Sequence, residues 1–121
     1  MAPYGEDAPG AALARATFFK KYTGDLDAVG VADLLMCQAD PKDLSAGAGY
    51  VASERVTGSL AGRQGSFVIQ HWGLSGGGKP NHTAGHVIPG SGTGELAGLT
   101  GTIEISVTKE TGHRLIMDYE L

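Results

Sequence analysis

Nowhere in this chain do apolar side chains recur every three to four residues over the length an amphipathic helix needs. They alternate with polar ones over short runs, and glycines separate the runs. From Gly101 to Thr108, Ile103, Ile105 and Val107 hold one parity, and Thr102, Glu104, Ser106 and Thr108 the other. From His113 to Leu121, Leu115, Met117, Tyr119 and Leu121 oppose Arg114, Asp118 and Glu120, with Ile116 the exception. Phe67, Ile69 and His71 share a third face. Successive side chains of a strand point to opposite faces, so each run reads as a strand with one apolar side.

Strands are expected over Ala14–Thr23, Val31–Gln38, Gly49–Thr57, Gly65–Gly73, His82–Pro89, Gly101–Thr108 and His113–Leu121. Residues 1–13 read as an irregular lead-in and residues 14–121 as one β-barrel domain. The chain has 20 glycines in 121 residues, about twice the ordinary share. They show no collagen period and serve as turn punctuation. Lys109–Gly112 reads as a tight hairpin link and Gly73–Asn81 as a longer one. Seven short strands with frequent turns indicate an all-β sandwich or an antiparallel barrel, and a barrel removes exposed edges while leaving an interior.

One motif is written three times. Y-T-G-D-L (Tyr22–Leu26), V-T-G-S-L (Val56–Leu60) and G-T-G-E-L (Gly92–Leu96) share T-G-x-L. The last two copies extend further: Gly58–Ile69 and Gly94–Ile105 agree at Gly58/Gly94, Leu60/Leu96, Ala61/Ala97, Gly62/Gly98, Gly65/Gly101 and Ile69/Ile105. Glycine reverses a chain at no steric cost. T-G-x-L is therefore expected to be the corner of a strand–turn–strand unit, with Leu26, Leu60 and Leu96 folded beneath to plug one end of a rolled sheet.

Net charge is −4, which leaves no basic footprint for nucleic acid. No run approaches the roughly 18 apolar residues of a membrane helix, and Met1–Gly10 lacks the plan of a signal peptide. The single cysteine, Cys37, excludes an internal disulfide and suits a reducing compartment, so a cytoplasmic protein is expected.

Tyr50–Gly73, Val87–Ile105 (which contains G-S-G-T-G-E-L-A-G-L-T-G) and the closing M-D-Y-E-L of Met117–Leu121 resemble a small bacterial family known as a domain of unknown function. That family is grouped with the allene oxide cyclase-like barrels, and a shorter form of the glycine motif is similar to one in plant allene oxide cyclases and dirigent proteins. The resemblance implies an antiparallel eight-stranded barrel, often oligomeric. Through the plant relatives it implies cofactor-free work on small apolar molecules. Family members carry a further strand ahead of the segment Pro3–Ala16, so seven to eight strands are expected here. Residues 1–13 then complete the barrel irregularly, a seam stays open, or a partner chain fills it.

Several motifs are set aside. Gly73–Pro80 approaches a phosphate-binding loop, yet Pro80 stands where the metal-binding hydroxyl belongs, and no helix follows. His82 and His86 stand about 13 Å apart on an extended strand, too far to share one ion. His71 could join only one of them across a hairpin, so neither a metal nor any other cofactor is expected.

The candidates for chemistry are polar residues on expected inner faces. Glu54 sits mid-strand between β-formers, where burial would raise its pKa and fit it for general acid or base work. His71 continues the face of Phe67 and Ile69, and Tyr119 shares the inner face of the last strand. Glu54, His71 and Tyr119 form the expected catalytic set. Tyr50, Phe67, Ile69, Trp72, His86 and Met117 are the expected substrate contacts, with Trp72 alternatively at a subunit interface. The structural alternatives are a surface pairing of Glu54 with Arg55 or Arg63, a core histidine at His71 and a packing role for Tyr119. Two functions follow. One is a cofactor-independent cyclase or isomerase acting on a small apolar molecule, in a homo-oligomeric barrel. The other is a non-catalytic barrel that binds a hydrophobic ligand or a protein.

Overall fold

Alternation that buries one face of each run lets every strand pair with its neighbour in sequence. The computed structural model describes residues 2–3, 10–43, 45–108 and 112–121. They form β1 (Ala2–Pro3), β2 (Ala12–Tyr22), β3 (Leu26–Gln38), β4 (Ala48–Leu60), β5 (Arg63–Gly76), β6 (Lys79–Val87), β7 (Thr100–Thr108) and β8 (Gly112–Glu120). All pair antiparallel in one sheet, in sequence order from β1 to β8. Among the described residues the sole helical element is a short 3-10 turn at Gly94–Leu96. Lys109–Thr111 of the expected hairpin link, and most of the lead-in before Gly10, lie outside the described residues.

The sheet is rolled. Six strand spacings separate β2 from β8, roughly 29 Å if the sheet were flat. Yet Tyr22 of β2 and Leu115 and Met117 of β8 pack on one core cluster with residues of β3 to β7. Among the described residues no ladder joins β8 to β1 or β2, and β1 pairs only with Ala14 and Arg15. A seam therefore runs beside Thr17–Tyr22.

The three T-G-x-L copies take three different forms, and only the first is the expected corner. Thr23–Asp25 turns β2 into β3. The second copy lies wholly inside β4, and the chain reverses after it, at Ala61–Gly62. Leu60 pairs with Arg63, which leaves a two-residue loop whose residues have φ of 50° and 84°, the geometry that suits the twist of a hairpin. The third copy forms the 3-10 turn. The leucines nevertheless converge: Leu26, Leu60 and Leu96 are buried in one cluster with Val56, Phe67 and Leu99.

Residues 88–99 do work that their sequence alone did not reveal. They run along the edge of β5 below the point where its pairing with β6 ends, at Ile69–Val87. Side-chain oxygens meet alternate backbone amides there: Glu95 accepts from the Gln64 N–H at 3.2 Å, Thr93 from Ser66 at 3.0 Å and Ser91 from Val68 at 3.0 Å. The Thr93 N–H donates to the Ser66 carbonyl at 2.8 Å. A β-carbon on Gly65 would overlap the Thr93 carbonyl, so glycine lets this strap lie flat.

Candidate functional site

The inward parity of β4 and β5 places two polar groups in the middle of the core. Glu54 is fully buried and His71 nearly so. They separate the large cluster from a smaller one made by Ala32, Leu34 and Ala52, against which Met36 and Tyr50 pack. Buried polar groups of this kind need partners, and each has them. Oε1 of Glu54 accepts from His71 Nε2 at 2.9 Å and from Lys20 Nζ at 3.0 Å. Its Oε2 accepts from the Tyr22 hydroxyl. On the far side of the imidazole, Nδ1 lies 2.9 Å from the Tyr50 hydroxyl. The Tyr50 and His71 rings meet edge to face, with centroids 5.5 Å apart. The result is an unbroken chain Tyr22–Glu54–His71–Tyr50, with Lys20 attached at the carboxylate.

Gly30 makes room for this chain. It lies inward on β3, and a β-carbon there would overlap Glu54 Oε2 and crowd the Tyr22 ring. Lys20 and Tyr22 take the same parity on β2, so the carboxylate on β4 is reached from β2 and from β5.

The electrostatics differ from the expectation of a raised carboxylate pKa. Burial pushes Glu54 up, but the hydrogen bonds from His71 and Tyr22 and the Lys20 ammonium outweigh it and hold Glu54 below the ordinary value. Glu54 is thus an ionised anchor rather than a stored proton. Burial, followed by the Glu54 charge, raises Tyr50. Burial and the hydrogen bond to Glu54 raise Tyr22 further. An ionised carboxylate only accepts, so His71 Nε2 carries a proton. In the neutral ring Nδ1 is then the acceptor and Tyr50 the donor.

The expected site residues separate into three groups. Glu54, His71 and Tyr50 come together. Glu54 contacts neither Arg55 nor Arg63 through its carboxylate, because Arg55 faces outward and β4 turns Glu54 inward. Phe67 and Ile69 are closed into the core cluster at 1% and 0% exposure, so they support the site from within the core. Trp72 and His86 face outward, opposite to His71, and line a shallow outer depression with Leu35 and Val51. The Trp72 ring meets the His82 ring at a tilt of 60°, with centroids 5.0 Å apart. Tyr119 and Met117 line a cleft at the seam, away from His71. Among the described residues no group of three or more His, Cys, Asp or Glu is placed to hold a metal.

Sequence reasoning missed Lys20, Tyr22 and Gly30. The apolar pair Phe18–Phe19 and the basic pair Lys20–Lys21 put like residues on both faces of β2, so its parity could not be read. The available signal was Tyr22 within the first repeat.

Glu54 and His71 are buried, and the two tyrosines connect them to the outside. Tyr50 borders a pocket of 260 Å³ with Met36, Cys37, Gly73, Asn81 and Thr83. Tyr22 borders the seam cleft of 540 Å³. Among the described residues no helix is long and apolar enough to cross a membrane.

Comparison with known proteins gives a family match. The family described as "Protein of unknown function (DUF3224)" matches residues 1–119. A crystal structure of a protein with unknown function from the same family, from Shewanella oneidensis MR-1, superposes with a TM-score of 0.82. It is 37% identical, and the match covers 99% of this chain and 88% of that one. No curated protein matches. The bacterial family is thereby shown, and the likeness to allene oxide cyclase is not.

Proposed function

This chain belongs to the DUF3224 family, and from that premise we propose that it is a cofactor-independent proton-transfer enzyme, an isomerase or cyclase acting on a small apolar metabolite. The observation that carries the reading is the Tyr50–His71–Glu54 chain, which starts at a fully buried carboxylate and ends at a pocket. An anionic residue that fixes the tautomer of a histidine, whose other nitrogen faces a hydroxyl, is the logic of a catalytic triad.

The step balances without a cofactor. A C–H proton next to a substrate carbonyl passes to the Tyr50 oxygen as the phenolic proton passes to His71 Nδ1. The C–H electron pair moves into the enolate, and the imidazolium is stabilised by Glu54. Return of the proton at a different carbon completes an isomerisation. Tyr50 is the group that meets the substrate, His71 holds the proton, and Glu54 positions His71. The raised Tyr50 pKa keeps the phenol protonated at rest, so the base forms only with His71 behind it.

The test is solvent-deuterium incorporation. The protein is incubated in D2O with a panel of small enones and ketones, and each compound is weighed by mass spectrometry. Exchange into one compound class that disappears in Tyr50→Phe and falls steeply in Glu54→Gln supports the reading. No exchange above the Tyr50→Phe background in any compound overturns it and leaves the non-catalytic binding barrel. Self-association belongs to the same proposal. Leu35, Val51 and Trp72 are direct cross-strand neighbours on the outer face and 45%, 55% and 36% exposed, an apolar row of the kind that partners cover.

A further inference from the structure

The seam cleft and the pocket beside Tyr50 share no lining residue. The floor of the cleft is apolar, made by Leu26, Leu60, Leu115 and Met117. Tyr22 and Tyr119 face it, and its volume of 540 Å³ is within the range of small-molecule sites. Its rim is basic. Lys21 comes from the end of β2, and His113 and Arg114 from the start of β8. The chain as a whole is acidic, with 13 Asp and Glu against 9 Lys and Arg, so a lysine, an arginine and a histidine at one rim depart from the general surface. Among the described residues lining the cleft, Asp25 is the one acid.

Among the described residues these cations have no acidic partner. Lys20 beside them is held by Glu54, but among the described residues Lys21, His113 and Arg114 take part in no ion pair or side-chain hydrogen bond. Tyr22 cannot serve as the counter-charge, because its hydroxyl donates to Glu54 and its ionisation is strongly opposed. An apolar floor under a basic rim is complementary to a molecule with an apolar body and one negative head.

We propose that this cleft binds an amphipathic monoanion, with its apolar body on Leu26, Leu60, Leu115 and Met117 and its anionic head between Lys21 and Arg114. The floor supplies burial in proportion to apolar area. The rim supplies screened charge attraction at its exposed edge.

Decanoate and decanol are the probes, because they share an alkyl chain and differ in head charge. Each is titrated into the full chain while amide NMR shifts are followed. Saturating shifts at Leu26, Leu60 and Met117, with decanoate binding more tightly, are expected. Lys21→Ala with Arg114→Ala should weaken decanoate about five- to twentyfold, as two exposed ion pairs allow, and leave decanol unchanged. Added salt should weaken decanoate alone. Equal affinity for the two probes overturns the proposal, as do shifts confined to another surface or a double variant that weakens both probes equally. Tyr50→Phe should bind decanoate as the unaltered chain does, which separates this site from the proton-transfer reading.

Discussion

Replacing Glu54 with glutamine keeps the shape of the side chain and removes its charge, so it isolates what the anion contributes. The carboxylate accepts three hydrogen bonds, two from groups inside the core and one from Lys20, whose side chain is 31% exposed. A hydrogen bond to a charged group contributes ~1.5–3 kcal/mol and a neutral one ~0.5–1.5. The bonds to His71 and Tyr22 therefore lose about 1 kcal/mol each. The Lys20 pair, partly in water, loses no more than about 0.5 kcal/mol after solvent screening. Glutamine also turns an N–H₂ toward one of three donors. The sum is about 2–3 kcal/mol, against a total stability of ~5–15 kcal/mol for a domain. In urea this lowers the midpoint by about 1–2 M.

The pH dependence makes the test specific. Glu54 titrates below the ordinary carboxylate value of 4.5 when folded. Its stabilisation is therefore present above that value and is lost as pH falls through the lower, folded one. Glutamine has no such titration. Urea melts of both proteins near neutral pH and through the acid range should show a gap that narrows as pH drops below about 4.5. A gap of constant size, or a variant as stable as the parent at neutral pH, would refute the picture of an ionised anchor.

Three further substitutions test other parts of the structure. Gly30→Ala forces a β-carbon onto the Glu54 carboxylate and should cost about 1–3 kcal/mol by overpacking; an unchanged urea midpoint would show that β3 stands further off. Ala61 holds φ at 50° in the two-residue β4–β5 loop, a conformation asparagine tolerates better. Ala61→Asn should raise stability by about 0.5–1 kcal/mol, and a lower melting temperature would contradict the turn assignment. Thr93→Val removes the oxygen that accepts from the Ser66 amide. It should cost about 1–2 kcal/mol and speed amide exchange at Ser66, whereas unchanged protection there would show that the strap is held elsewhere.

The alternation of β5, β7 and β8 was plain in the sequence because one face of each strand is apolar. His71 follows as a candidate inward residue from the parity of β5, whereas Glu54 on β4 rests only on its place between β-formers, with a surface pairing to Arg55 or Arg63 left open. The direction of the Glu54 shift did not follow. It depends on Lys20 and Tyr22, which arrive through pairing partners on β2 that no local pattern specifies. Glycine within a strand hides where the strand ends: Gly58 reads as a corner, yet β4 continues to Leu60. The same bias assigned all three T-G-x-L copies to one role. Their shared residues reflect a common burial of leucine at one end of the roll, while the backbone differs in each.

The strap at residues 88–99 bears on where strands of other chains can add to this sheet. From Ser66 to Trp72, β5 has no charged residue and no proline, the composition of a segment that adds readily to other β-strands. Along Gln64–Val68 it would offer a row of open amides to any such strand. Serine, threonine and glutamate occupy those amides with side chains instead of a backbone. A backbone would present a fresh edge on its other side, and hydroxyl and carboxylate groups present none. Strand addition therefore stops at the strap, and a chain that has lost Ser91, Thr93 and Glu95 would carry an open template for fibril growth beside an intact fold.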